Sequence, residues 1–289
     1  MAFELTLNVI LSGAASGLVY GLLALGLSVI FGVVRVVNFA HGELMTLAMY
    51  AAVALFNQWG WDPLWSSLPL AAGFFGLGYL LQSRLIQPFI TRPEHSQFLL
   101  LLALALCLSN GLLMVFGPDA RNVAVDYQLD SVELGPLLLD KPRLYAAALA
   151  LVANLGCALF FRFTLTGKAI RACADNFRGA QVVGLPIQRL YAITFGLGAA
   201  CVAVAGCASL LLVDVTPSLG PSYTLLGFVI VIVGGLGSMP GALLGGLVIG
   251  ISEALAGLFF APSAKGMVSF GLLILVLLVR PAGLLGRRT

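Results

Sequence analysis

Apolar runs long enough to cross a bilayer follow one another through most of the chain, at about 7–34, 42–56, 68–87, 98–116, 144–163, 190–213, 223–236, 242–260 and 267–279. A hydrocarbon core roughly 30 Å thick takes about 20 mostly apolar residues per helical crossing. No water-soluble fold of 289 residues can hide that much apolar surface: 60% of the chain is hydrophobic and 9% is charged. An ordinary soluble domain carries about 25% charged residues. In lipid every backbone polar group must be paired internally, which leaves a helix bundle or a closed barrel, and continuous runs exclude a barrel's alternating pattern. The expected fold class is all-α: a polytopic transmembrane helix bundle of about eight or nine segments, some of them discontinuous, forming one domain over 1–289. Glycine is abundant, as helices that pack closely in a membrane require.

The first run lacks a basic leader and is too long for a signal-peptide core, so it is expected as a retained span. The runs at 42–56 and 223–236 are short, and each adjoins a break: Asn38-Phe39-Ala40-His41-Gly42 and Gly234-Gly235-Leu236-Gly237-Ser238. Both are candidates for half-helices, of the kind whose free backbone groups line a transporter's cavity. Charge orients the loops. Arg162, Lys168, Arg171, Arg178 and Arg189 face only Asp175 over 162–189, which places that stretch in the cytoplasm. Asp119, Asp126, Asp130, Glu133 and Asp140 outnumber Arg121, Lys141 and Arg143 over 118–143, which places it outside. Arg287 and Arg288 return to the cytoplasm. Nine crossings put the N-terminus outside; one re-entrant segment puts it inside. Trp59, Trp61 and Trp65, beside Asp62 and Pro63, are expected to anchor a loop at the water interface. The five cysteines form no CxxC pair, and neither a disulfide framework nor a metal site is expected.

Polar residues inside the apolar pattern are the functional candidates. Arg35, Asn38, His41 and Glu43 lie between two apolar runs. A charge at the bilayer centre costs roughly 2.5 to 3.5 kcal/mol, so such groups at depth need a bundle interior or a watered cavity, as on a substrate path. The alternative is a short interfacial loop, with Arg35 snorkelling and Asn38 capping the next helix. Glu253, flanked by apolar residues, either meets the ammonium of a substrate or a partner helix, or is a structural acid hydrogen-bonded across the bundle. Gly13, Gly17 and Gly21, Gly241 with Gly245, and Gly246 with Gly250 each make a flat face, for packing within the chain or against a second membrane subunit. From Lys168 to Val183 a short helix is expected, bounded by Gly167 and by Gly184 and Pro186, docking on a partner or resting on anionic lipid headgroups. Gly167-Lys168 is not a nucleotide loop, because Ala169 replaces the Ser or Thr that such a loop needs. His41 and His95, the two histidines, fall in no hydrolase signature, and no catalytic residue is expected.

Three blocks resemble the permease subunits of branched-chain amino acid ABC transporters, in particular the shorter of the two permeases. They are Gly17 to Glu43, with G-L-V-Y-G-L-L-A-L-G-L and N-F-A-H-G-E; Gly167 to Arg189, with R-A-C-A-D and V-V-G-L-P; and Gly234 to Gly246, with G-G-L-G-S-M-P-G-A-L-L-G-G. The resemblance implies a non-catalytic subunit of the cell inner membrane that forms half of a pore. It implies as partners a second homologous permease, two cytoplasmic ATPases that hold ATP and magnesium, an external substrate-binding protein and membrane lipid, with no nucleic acid and no cofactor in this chain. It implies that Gly167, Ala172, Asp175, Gly184 and Pro186 belong to a segment coupling the ATPases to the membrane, and that Asn38 and His41 lie on the substrate path; Glu43 and Glu253 stay path candidates on their apolar setting alone. The rival is a stand-alone carrier driven by an ion gradient, with Glu253 or Glu43 carrying the proton.

Overall fold

The computed structural model describes residues 2–90, 92–134, 137–260 and 263–286; Arg287, Arg288 and the side chain of Glu133, counted above for orientation, lie outside that description. The elements in order are α1 (Ala2–Val34), α2 (His41–Trp59), α3 (Pro63–Leu80), α4 (Glu94–Phe116), β1 (Ser131–Leu134), β2 (Leu137–Asp140), α5 (Lys141–Phe163), α6 (Leu165–Asp175), α7 (Phe177–Val182), α8 (Ile187–Leu210), α9 (Leu219–Gly234), α10 (Met239–Phe259) and α11 (Ala264–Val279). Past Leu80, α3 runs on through a π turn over Leu81–Ile86 and a 3-10 turn over Gln87–Phe89, where Pro88 withdraws a backbone donor. The two strands pair as a small antiparallel hairpin. The chain is therefore the expected all-α membrane bundle.

Six helices, α1, α3, α4, α5, α8 and α10, are long and apolar enough to span a membrane. α9 and α11 are apolar but shorter, and α2 is 19 residues long. Burial sorts the spans into layers: the most apolar windows of α1 and α8 are each 78% buried, against 17% for α4, so α1 and α8 form the centre and α4 faces lipid.

One end of the bundle gathers α1's first turns, the 117–140 stretch and the loops after α2 and α8. There Leu138 N–H donates to Asn8 Oδ1 at 3.2 Å, the Tyr127 hydroxyl donates to Asp62 Oδ2 at 2.8 Å, and Arg121 bridges Val215. At the other end Gly32 meets Gly237, Leu285 N–H donates to Gly234 O at 2.9 Å, and α6 and α7 lie beneath α5 and α8. This second end holds Arg35, Arg84, Arg92, Arg162, Lys168, Arg171, Arg178, Arg189 and Arg280, and so faces the cytoplasm by the positive-inside rule. The start of α1 lies at the first end and 280–286 at the second. Trp59, Trp61 and Trp65 stand exposed at the outward end, where Asp62 caps α3 by accepting from Leu64 N–H at 2.7 Å.

The glycine faces pack within this chain. A Cβ on Gly17 would sit 2.8 Å from Gly246 O, and one on Gly250 would sit 2.5 Å from Gly13 O, so the backbones of α1 and α10 touch. The second stripe of α10 turns the other way: a Cβ on Gly245 would lie 2.6 Å from Ile230 O of α9. α10 is thus wedged between α1 and α9 at distances that only glycine permits.

Candidate functional site

α1 ends at Val34, and Arg35 takes a left-handed φ of 58°, unusual for a residue with a Cβ, which reverses the chain. Residues 36–40 then retrace α1 without helical structure, and α2 starts inside the bundle. His41 Nε2 lies 2.9 Å from Leu23 O, roughly 16 Å short of α1's inward end. A carbonyl only accepts, so Nε2 carries the ring proton, and Nδ1 is left as an acceptor with no protein partner. Asn38 accepts the Ala40 N–H through Oδ1 at 3.1 Å, while its Nδ2 donors have no protein partner. Both side chains are fully buried, and Glu43 is 4% exposed. Asn38, His41 and Glu43 are therefore brought together at depth rather than in an interfacial loop. Asn38 does not cap α2: the N-cap is Ala40, and Asn38 closes a turn onto it.

The cap comes instead from α9. Thr224 Oγ1 accepts the Gly42 N–H at 2.9 Å, and its hydroxyl lies 3.0 Å from Glu43 Oε2 and 3.3 Å from Phe39 O. A hydroxyl has one proton, and the shorter contact, to Glu43, takes it. The close approach needs Gly42, where a Cβ would fall 2.5 Å from Thr224 N, and Gly220, where one would fall 2.9 Å from Glu43 Cγ. The first turns of α2 and α9 thus meet, and the partial positive charge of two helix N-termini surrounds one buried carboxyl group. The short runs do begin within the bundle, but for α9 the interior end is its start. The Gly234–Ser238 break is a tight turn at the inward end, with Gly235 and Gly237 at φ 109° and 76°. Gly220 and Thr224 were not singled out from the sequence; the small and polar stretch S-L-G-P-S-Y-T ahead of the apolar run was the available signal.

Thr224→Val keeps the side chain's shape and removes its hydroxyl, leaving the Gly42 N–H and Glu43 short of a partner. The expected loss is about 2 to 3 kcal/mol of stability, with Thr224→Ser near wild type. Chemical denaturation midpoints of the two variants check this.

Glu253 is not part of this cluster. It lies in the outward half of α10, where it accepts from Ser269 Oγ of α11 at 2.6 Å and is hydrogen-bonded by the Tyr20 hydroxyl of α1. The four expected path residues therefore fall into two places, three at the α2–α9 junction and one in an outward cavity.

The inward segment is two helices, not the one expected. α6 starts at Leu165, capped by Thr164 Oγ1 on Gly167 N–H at 2.9 Å, so Gly167 lies inside the helix and packs on the backbone of Phe160 and Phe161. Asn176 leaves helical geometry at φ −147° and caps α7 by accepting the Gly179 N–H at 2.8 Å. An asparagine can end one helix and cap the next, an option that a reading by apolar periodicity passes over. Gly184 turns the chain at φ 79°, and Pro186 precedes α8. Ala172, Asp175, Gly184 and Pro186 are exposed, and so are Val182 and Val183 at 88% and 75%. Cys173 lies on the buried face of α6, and burial pushes its thiol up, which keeps it protonated and unreactive.

A polytopic helix bundle with a polar helix break at its centre and an exposed helical pair at its basic end has the form of a solute-conducting membrane subunit. The sequence model for the branched-chain amino acid transport system permease component matches residues 9–277, and the chain belongs to that family. It is 32% identical to the high-affinity branched-chain amino acid transport system permease protein LivH of Salmonella typhimurium, over 96% of this chain and 94% of that one. It is 29% identical to the corresponding BraD protein of Pseudomonas aeruginosa, over 97% and 96%. A fructose import permease protein, FruG of Bifidobacterium longum, is 26% identical over 73% of this chain and 64% of its own length. No solved structure matches.

Proposed function

We propose that this chain is the permease subunit of an ATP-driven importer in the cell inner membrane, taking up branched-chain amino acids or a related small polar solute. In this reading it pairs with a second homologous permease to enclose the pore. Two cytoplasmic ATPases supply the energy of bound ATP and magnesium, and an external binding protein delivers the solute. The chain itself does no catalysis.

The observation that carries the reading is the exposed α6–α7 pair at the basic end. Val182 and Val183 project from it with most of their surface uncovered. An apolar patch in that position is explained by a protein seated on it. A partner that moves α6 and α7 moves α5 and α8, which they join, and α8 packs against α1, α2 and α3. That lever reaches the α2–α9 junction, where Asn38, His41, Glu43 and Thr224 close the path. Alternating access then amounts to ATP binding favouring one arrangement of these helices and hydrolysis the other.

The ion-driven carrier is the competing reading, and the energy source separates them. Uptake of labelled leucine by membrane vesicles containing the assembly is expected to continue when a protonophore collapses the proton gradient at constant ATP. It is expected to stop when ATP is removed with the gradient maintained; the reverse pattern overturns the importer.

A further inference from the structure

The first half of α1 presents Asn8, Ser12, Ser16 and Tyr20, a polar side chain at every fourth residue of a helix whose other faces are apolar and glycine-rich. Residues four apart lie above one another on a helix, so these make one stripe. The stripe faces an outward cavity of about 410 Å³, completed by Arg143 of α5, Glu253 of α10 and Lys265 of α11. That volume is within the range of small-molecule pockets, about 300 to 1,000 Å³.

No ion pair within 4 Å joins Glu253 to Arg143 or Lys265 among the described residues, although Lys265 lies near enough to act on the acid through its charge. Arg143 makes its ion pair outside the cavity wall, with Asp140 at 3.6 Å, and its buried Nε has no hydrogen-bond partner. Glu253 is steadied by two hydroxyls, those of Tyr20 and Ser269, which leave part of its acceptor capacity open. Ser269 also lies 3.2 Å from Lys265 O, which ties the acid to the first turn of α11. The Lys265 side chain lies over Gly257, one turn beyond Glu253, where a Cβ would fall 3.2 Å from Lys265 Cε. An acid steadied by hydroxyls, two bases near it and a row of hydroxyl and amide groups between make a surface of opposed charges.

We propose that this outward cavity binds a small zwitterion, with the ammonium at Glu253 and the anionic group at Arg143 and Lys265. The inference rests on the importer reading and deepens it: the cavity is the first station of the path, ahead of the closed α2–α9 junction. The same charge pair occurs in a free α-amino acid and in a phosphatidylethanolamine headgroup, and the test separates those sources.

The intact protein is placed in nanodiscs of phosphatidylglycerol alone and titrated with labelled L-leucine. Saturable binding is expected, weakened about tenfold by either Glu253→Gln or Arg143→Gln, as loss of one charge-assisted contact implies. Glu253→Asp is expected to recover part of it, and Asp214→Asn, an outward acid away from the cavity, to leave it unchanged. Size exclusion and thermal scans show that each variant is folded. In a second arm, discs containing phosphatidylethanolamine are analysed by native mass spectrometry. Retention of that lipid by wild type and its loss in Glu253→Gln, without leucine binding, assigns the cavity to the headgroup. The proposal is overturned when folded Glu253→Gln and Arg143→Gln proteins match wild type for both leucine and lipid. Neither arm uses ATP or a partner, so failure here leaves the importer reading intact.

Discussion

Gly250→Leu is expected to keep α1 and α10 from closing on each other, while Gly271→Leu in α11 leaves the bundle intact. At Gly250 even the first added carbon would lie 2.5 Å from Gly13 O and Gly17 Cα, and both neighbours are helix backbone. They can give way only by moving a central helix. At Gly271 nothing lies within 4 Å, and the new side chain extends into open space. Overpacking of this kind costs on the order of 3 kcal/mol, and the contact runs from Gly13–Gly250 to Gly21–Leu243, so the damage spreads along the seam. Thermal scans of the two variants in one detergent, with their levels in the membrane fraction, make the comparison. Equal stability of both would mean that α1 and α10 do not pack as described.

The second large effect concerns the inward helices. Val182→Asp combined with Val183→Asp changes two side chains that touch little of their own chain, so the midpoint of thermal unfolding is expected to stay close to wild type. A charge in place of an apolar docking surface removes a partner's contact, and ATP-driven uptake is expected to fall about 100-fold, the upper part of the usual range for coupling between two sites. Uptake by proteoliposomes holding the full assembly measures it. Unchanged uptake would show that α7 transmits nothing; loss of the folded protein would show that the two valines serve stability.

The sequence disclosed the membrane class and most of the helices because each rests on a pattern local to a few turns: apolar length and glycine spacing. It pointed to the 38–43 segment because polar residues in lipid are costly wherever they occur. It did not disclose the partners of that segment. Thr224 lies 182 residues from Gly42, and a contact across that separation leaves no periodic trace. Glu253 illustrates the same limit, since its acidity and apolar flanks marked it as interior, but only the antiparallel packing of α1 and α10 sets it beside Tyr20 and apart from His41. The split at Asn176 was missed for a different reason: α6 and α7 continue one apolar and basic composition, and the break depends on a single side chain that caps the second helix.

The central claim is that this chain works as one membrane subunit of an ATP-coupled assembly, and co-purification from gently solubilised native membranes tests it most directly. The account predicts that the tagged chain brings with it a second permease and two ATPase chains in fixed stoichiometry, and that the Val182→Asp, Val183→Asp protein brings the permease but not the ATPases. Recovery of the chain alone under several mild detergents, in membranes that still take up the solute, would contradict it.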